Sequence, residues 1–185
     1  MRKLSLIMAT LMGVVGLAYG VGGPAQAAGT KDPFADQART AGLSAAQARS
    51  LQNDVDREIA ATGGRQVAAN KVEWDGGGTV LPLPGEARVR DLTAAGDTYY
   101  RCPYLSLCTF TGKGYGGTMH YMSACREYAI PYIFASWINN QSSGLHAVFR
   151  DEDHRTIYTT PAPLSHSADS PYVGVYANFA KPCYN

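Results

Sequence analysis

Before Cys102 the chain has no cysteine, and beyond residue 20 it has no apolar run of bilayer-spanning length. The first absence confines any disulfide framework to residues 102–185. The second leaves no membrane segment once a leader has been removed. With 16 Lys and Arg against 15 Asp and Glu, the chain also lacks the basic excess that a nucleic-acid or anionic-membrane partner requires. Catalytic apparatus is scarce as well. The four histidines, His120, His146, His154 and His166, have no zinc-peptidase spacing, and no Gly-x-Ser-x-Gly elbow occurs. Ser165, His166 and Asp169 are triad residue types, but near neighbours in one loop do not by themselves make a triad. Asp151, Glu152, Asp153 and His154 read as a solvated acidic turn rather than a cation site. No enzymatic activity is assigned, and neither catalytic residues, a metal nor a cofactor is expected.

The chain begins like a leader. Arg2 and Lys3 precede an apolar run over residues 4–20, and Ala25-Gln26-Ala27 has the small-x-small pattern read by signal peptidase. Residues 1–27 are therefore expected to be a signal peptide, and the mature protein to be a secreted monomer. Without Arg2 and Lys3 the rest carries 14 basic against 15 acidic residues. Its roughly 158 residues suffice for one ordinary domain, or for a small domain with an appended segment.

Residues 28–42 are small and polar and predict a flexible mature terminus. A helix follows on clear signals: Ser44 is placed to cap it, Gln47 completes a capping box, and Leu43 stands where a hydrophobic staple belongs. Leu51, Val55 and Ile59 recur every four residues with Ala48 on the same side, and Gly63-Gly64 stops the helix. So narrow a stripe needs a partner surface. The β-branched stretches on either side of the glycine turn at 75–78 predict a hairpin, its second arm confined to an edge by Pro82 and Pro84. Residues 43–84 thus read as a helix-plus-hairpin accessory or pro-segment, and 85–101 as a linker.

The most informative stretch is residues 102–122, CPYLSLCTFTGKGYGGTMHYM. LSLCTFT and TMHYM are strand-like, and between them lies a glycine-rich tip. Phe110 is followed seven residues later by Gly117, with Gly112, Gly114 and Tyr115 between. Gly117 is read as the point where the chain turns beneath the Phe110 ring.

That spacing resembles the folded hairpin of βγ-crystallin Greek-key domains, and CPYLSLCTFTGKGYGG is similar to the opening of the secreted microbial metalloprotease inhibitors built on that fold. The matching residues are Cys102, Pro103, Cys108, Thr109, Phe110, Thr111, Gly112 and Gly114, and with SWINN at 136–140 the likeness extends over residues 102–185. It implies a mainly β, βγ-crystallin-like Greek-key sandwich, with Ser136 supporting the hairpin and Trp137 in the core. An even cysteine count in an exported chain implies two disulfides, for which three pairings are open. The resemblance favours Cys102 with Cys108, which leaves Cys125 with Cys183.

A second unit is expected to begin near His146 and to be degenerate, since Thr156 stands seven residues after Phe149 where the motif has glycine. The tail PYVGVYANF is expected to supply closing strands, with Tyr172, Val175 and Phe179 in the core. The resemblance implies a secreted peptidase inhibitor whose partner is an extracellular metalloprotease. The alternatives are a calcium-binding or purely structural module. Residues 131–136, aligned with the calcium-binding stretch, lack its two leading oxygen donors, and hard cations need such ligands. The candidate inhibitory loop is Thr160, Pro161, Ala162, Pro163 and Leu164, within 159–170, because its prolines preset an extended backbone.

Overall fold

The computed structural model describes residues 33–93, 98–99 and 101–184. The expected signal peptide lies outside the described residues. Two helices come first, α1 at Pro33–Thr40 and α2 at Ala45–Thr62. α2 starts with the reciprocal Ser44 and Gln47 capping box and ends at Gly63, whose left-handed backbone directs its N–H to the Ile59 carbonyl. Residues 33–40 are therefore helical where a flexible terminus was expected. Phe34, Ala38 and Ala41 make a stripe too short to stand out in the sequence, yet it packs on α2.

Three short strands follow: β1 (Arg65–Ala68), β2 (Lys71–Trp74) and β3 (Gly77–Val80). Beyond them lie β4 (Thr98–Tyr99), β5 (Cys102–Pro103), β6 (Ser106–Phe110), β7 (Met119–Met122), β8 (Tyr128–Ala129) and β9 (Ser136–Asn140). The chain closes with β10 (His146–Arg150), β11 (Thr156–Thr159), β12 (Ser165–Ser167), helix α3 (Pro171–Tyr176) and β13 (Phe179–Tyr184). The fold is mainly β and its strand pairs are antiparallel.

Strand order gives the architecture. The large sheet runs β1-β2-β3-β7-β6-β9-β12, a second runs β11-β10-β13-β8, and β4-β5 is a small ribbon. In each of two successive four-strand units the fourth strand returns beside the first: β9 beside β6, and β13 beside β10. Each unit also sends its third strand to the other sheet, so that β8 pairs with β13 and β12 with β9. The facing surfaces enclose Leu107, Met122, Phe134, Trp137, Ala147, Phe149 and Ala180.

The far side of the large sheet is covered too. Val80, Val89, Cys108, Phe110, Met119 and Ile138 form a cluster there, whereas α1 and α2 pack beside the second sheet on the Val72, Trp74 and Thr79 face, around Leu51, Val55, Val72 and Leu83. With both faces occupied, every residue of β6 and β9 is buried.

This arrangement corrects the expected boundaries. β3 pairs with β7 over Gly77↔Met122 to Val80↔Met119, so the hairpin is part of the large sheet and not an accessory. Nor are residues 85–93 a spacer. Val89 is fully buried, the Ala87 carbonyl accepts from Gly117 N–H at 3.0 Å, and Asn70 Nδ2 donates to the Arg90 carbonyl at 2.9 Å. Asp91 meets Lys71 at 2.8 Å. Burial alone would raise the Asp91 carboxyl, but hydrogen bonds from Lys71 and Thr93 outweigh it and hold the group below its ordinary value.

The tail is corrected as well. Residues 171–176 form a helix that starts on Pro171, leaving Tyr172 67% and Val175 53% exposed while Val173 is buried. A Cβ at Gly174 would sit 1.5 Å from the Phe134 carbonyl oxygen, so the helix packs directly onto that backbone. Closure falls to β13, at whose start Phe179 is half-buried and stacks on His154.

Candidate functional site

The expected motif residues gather at one end of the large sheet. Thr111 N–H donates to the Thr118 carbonyl, and Lys113–Tyr115 forms a single 3-10 turn. The Tyr115 ring meets Phe110 edge-on at 5.7 Å. Ser136, on β9, holds this tip: its hydroxyl donates to the Gly112 carbonyl at 2.7 Å and accepts from Tyr115 N–H at 3.1 Å. Gly117 has φ +71, but a Cβ there would strike Thr111 Oγ1 at 2.3 Å and not the Phe110 ring, which corrects the expected reason for glycine. Gly114 also has positive φ, in open space. Trp137 is buried between the sheets.

The cysteines pair as Cys102 with Cys108, separated by 6 residues, and Cys125 with Cys183, separated by 58. The short bridge lies toward the opposite end of the sheet from the glycine tip, where three loops converge.

Convergence there follows from β9. Its last carbonyls reach in opposite directions across the sheet: Asn140 accepts Leu105 N–H at 2.8 Å, and Asn139 accepts Leu164 N–H at 3.0 Å. The side chains repeat the pattern. Asn140 Nδ2 donates to the Cys102 carbonyl at 2.9 Å, while Asn139 Nδ2 donates to Thr160 Oγ1 at 3.0 Å and to the Pro161 carbonyl at 3.3 Å. Thr160 is buried, and its hydroxyl also accepts from Ala147 N–H. Two buried asparagines thus pin both loops to one strand.

Held in this way, Leu105 and Leu164 both take left-handed backbone, at φ 61 and 62. A bulky side chain adopts that conformation only where its surroundings impose it. Both leucines are exposed, Leu164 at 60%, and Tyr104 beside them is 60% exposed. Between the loops lies a cleft of about 350 Å³, lined by Tyr104, Gln141, Ser142, Ala162, Pro163 and Leu164. Gln141 is buried, and its Nε2 has no hydrogen-bond partner among the described residues. A buried donor of this kind is an unusual feature. No charged side chain stands among these residues.

Of the expected loop, Thr160 is an internal anchor, Pro161, Ala162 and Leu164 are exposed, and Pro163 is half-buried. Residues 160–164 stay away from the glycine tip, whereas the rest of the 159–170 stretch reaches it: Gly114 N–H donates to the Ala168 carbonyl at 2.8 Å and Lys113 pairs with Asp169 at 3.0 Å. Tyr104 and Gln141, which line the cleft, and Leu105, Asn139 and Asn140, which brace its loops, are not evident from the sequence. The signal that could have found them is the amide triplet 139–141 at the end of a strand, since buried amides at a strand end need partners from neighbouring loops. Comparison of the chain with family models, with curated proteins and with solved structures gives no match.

Proposed function

We propose that the chain is a secreted peptidase inhibitor on a βγ-crystallin-like scaffold, binding an extracellular metallopeptidase through the edge formed by Tyr104, Leu105 and residues 160–164. The fold reading is supported by the two four-strand units, each with its fourth strand beside its first, as in a Greek key. Export is supported by the two disulfides, and no described helix is long and apolar enough to cross a membrane.

The observation that carries the functional reading is the bracing of the loop by Asn139. A loop already fixed by buried hydrogen bonds loses little entropy on binding, which is what a tight inhibitor requires. Leu164 and Tyr104 supply apolar anchors.

A panel of secreted metallo and serine peptidases tests the reading. Inhibition of at least one metallopeptidase at micromolar inhibitor is expected, weakened at least about tenfold by Leu164→Asp and unchanged by Tyr172→Ser on α3. No inhibition across the panel, or inhibition indifferent to Leu164→Asp, would overturn it.

A further inference from the structure

A second cleft, of about 290 Å³, opens between α2, strands β2 and β7 and the turn after β8, and shares no residue with the loop end. Glu58, Trp74, His120, Met122, Tyr128 and Tyr132 line it. The polar atoms of Trp74, Tyr128 and Tyr132 are engaged elsewhere. Trp74 Nε1 donates to Thr79 Oγ1 at 3.1 Å, the Tyr128 hydroxyl donates to the Gly76 carbonyl at 2.8 Å, and the Tyr132 hydroxyl pairs with Thr109 Oγ1 at 3.0 Å. These bonds fix the rings, so ring carbon dominates the lining. His120 stacks on Tyr132 with centroids 3.8 Å apart.

The charge of the cleft follows from one buried hydroxyl. Thr79 Oγ1 gives its single proton to Glu58 Oε1 at 2.5 Å, so at its 3.1 Å contact with His120 Nδ1 it must accept. The imidazole therefore carries its proton on Nδ1. Burial also pushes His120 down to about 4, so the ring is neutral near pH 7. Arg126 lies over the Tyr128 ring at 4.9 Å but is paired with Asp75 at 2.6 Å. Among the six lining side chains the Glu58 carboxylate is the only charged one, and it remains 18% exposed.

Aromatic faces attract cations through the ring quadrupole, and an adjacent carboxylate adds net charge of the right sign. We propose that this cleft binds a small organic monocation, a free quaternary or alkyl ammonium compound, with Trp74 and Tyr132 as its aromatic walls and Glu58 as its counter-ion. Its volume lies at the low end for small-molecule sites and fits a single head group.

Choline chloride titrated at constant ionic strength, followed by Trp74 fluorescence and by the indole N–H resonance of Trp74, provides the test. A saturable response in the millimolar range is expected. The neutral isostere 3,3-dimethylbutan-1-ol should bind at least about tenfold more weakly. Glu58→Gln keeps an acceptor for Thr79 and should weaken choline about tenfold, and Tyr132→Leu should weaken it without reference to Glu58. Equal binding of the alcohol and choline, wild-type affinity in Glu58→Gln, or no saturable response would each overturn the proposal. Should Glu58→Gln fail to fold, the comparison of choline with the alcohol on the wild-type protein decides. Acetyl-Ala-Lys-Ala-amide separates the sources: binding much tighter than that of choline would assign the site to a lysine side chain of a peptide and overturn the free ligand.

Discussion

The Ser136 hydroxyl donates to the Gly112 carbonyl across 24 positions of sequence, at 2.7 Å. Through this bond β9 holds the tip of a hairpin to which it is not directly connected, and the same oxygen accepts from Tyr115 N–H. Ser136 is fully buried. Ser136→Ala would remove the hydroxyl that both half-buried backbone groups use, and is expected to cost about 1–3 kcal/mol by urea unfolding. A loss below about 0.5 kcal/mol, the range of ordinary surface changes, would mean that the tip holds itself.

Gly117 and Gly114 both have positive φ but different surroundings. A Cβ at Gly117 meets Thr111 Oγ1 at 2.3 Å and Gly112 N at 3.0 Å, whereas at Gly114 the nearest atom is Arg88 Nη2 at 3.8 Å. Gly117→Val should therefore cost about 2–3 kcal/mol through strain and crowding together, and Gly114→Ala about 1 kcal/mol through backbone strain alone. Denaturant midpoints of the two variants give the comparison. Equal losses would show that crowding at position 117 is relieved by movement of Thr111.

His120 predicts a pH window for stability. Its folded pKa is depressed to about 4 from 6.5, so the unfolded chain binds the extra proton between those values. The contribution is present above about pH 6.5, falls as pH drops toward 4, and totals up to about 3 kcal/mol. Asp91, held low by Lys71 and Thr93, adds a separate loss below the ordinary carboxylate range. Thermal midpoints measured from pH 7.5 to 4.5 should decline in the wild type and much less in His120→Gln. Parallel curves would place the acid sensitivity elsewhere.

A fragment of residues 102–185 holds all four cysteines and both four-strand units. It should nevertheless fail to unfold cooperatively. Removing β3 bares the β7 edge, and removing Val80 and Val89 opens the cluster around Phe110, Met119 and Ile138. Expressed under oxidising conditions and heated in a calorimeter, the fragment should show no sharp transition, whereas residues 31–185 should. A sharp transition in the short fragment would mean that the helices and β1 to β3 are added to a core already sufficient without them.

Sequence reading was most successful where structure depends on neighbours within a few positions. Ser44 and Gln47 mark the start of α2 because a cap is made inside one turn. The runs at 105–111 and 118–122 read as strands because β-branched and apolar residues recur there beside a glycine-rich tip. The tail misled for the same reason. PYVGVY has strand composition, but Gly174 is required by a contact with Phe134, 40 residues away, and that contact makes the segment a helix. At the loop end, the prolines of 160–164 were visible, whereas Asn139, Asn140 and Gln141 acquire their roles only from backbone groups delivered by other loops.

The sequence by itself determined the helix α2, the glycine tip and the confinement of every cysteine to residues 102–185, because these rest on local backbone preference and on composition. Tertiary structure alone decided that β3 docks on β7, that Leu105 and Leu164 meet on either side of β9, and that Thr79 sits against His120, 41 positions away. Periodicity tells a strand which face to bury but not which strand to lie beside. That choice is made by summed packing and hydrogen bonding across the whole sheet.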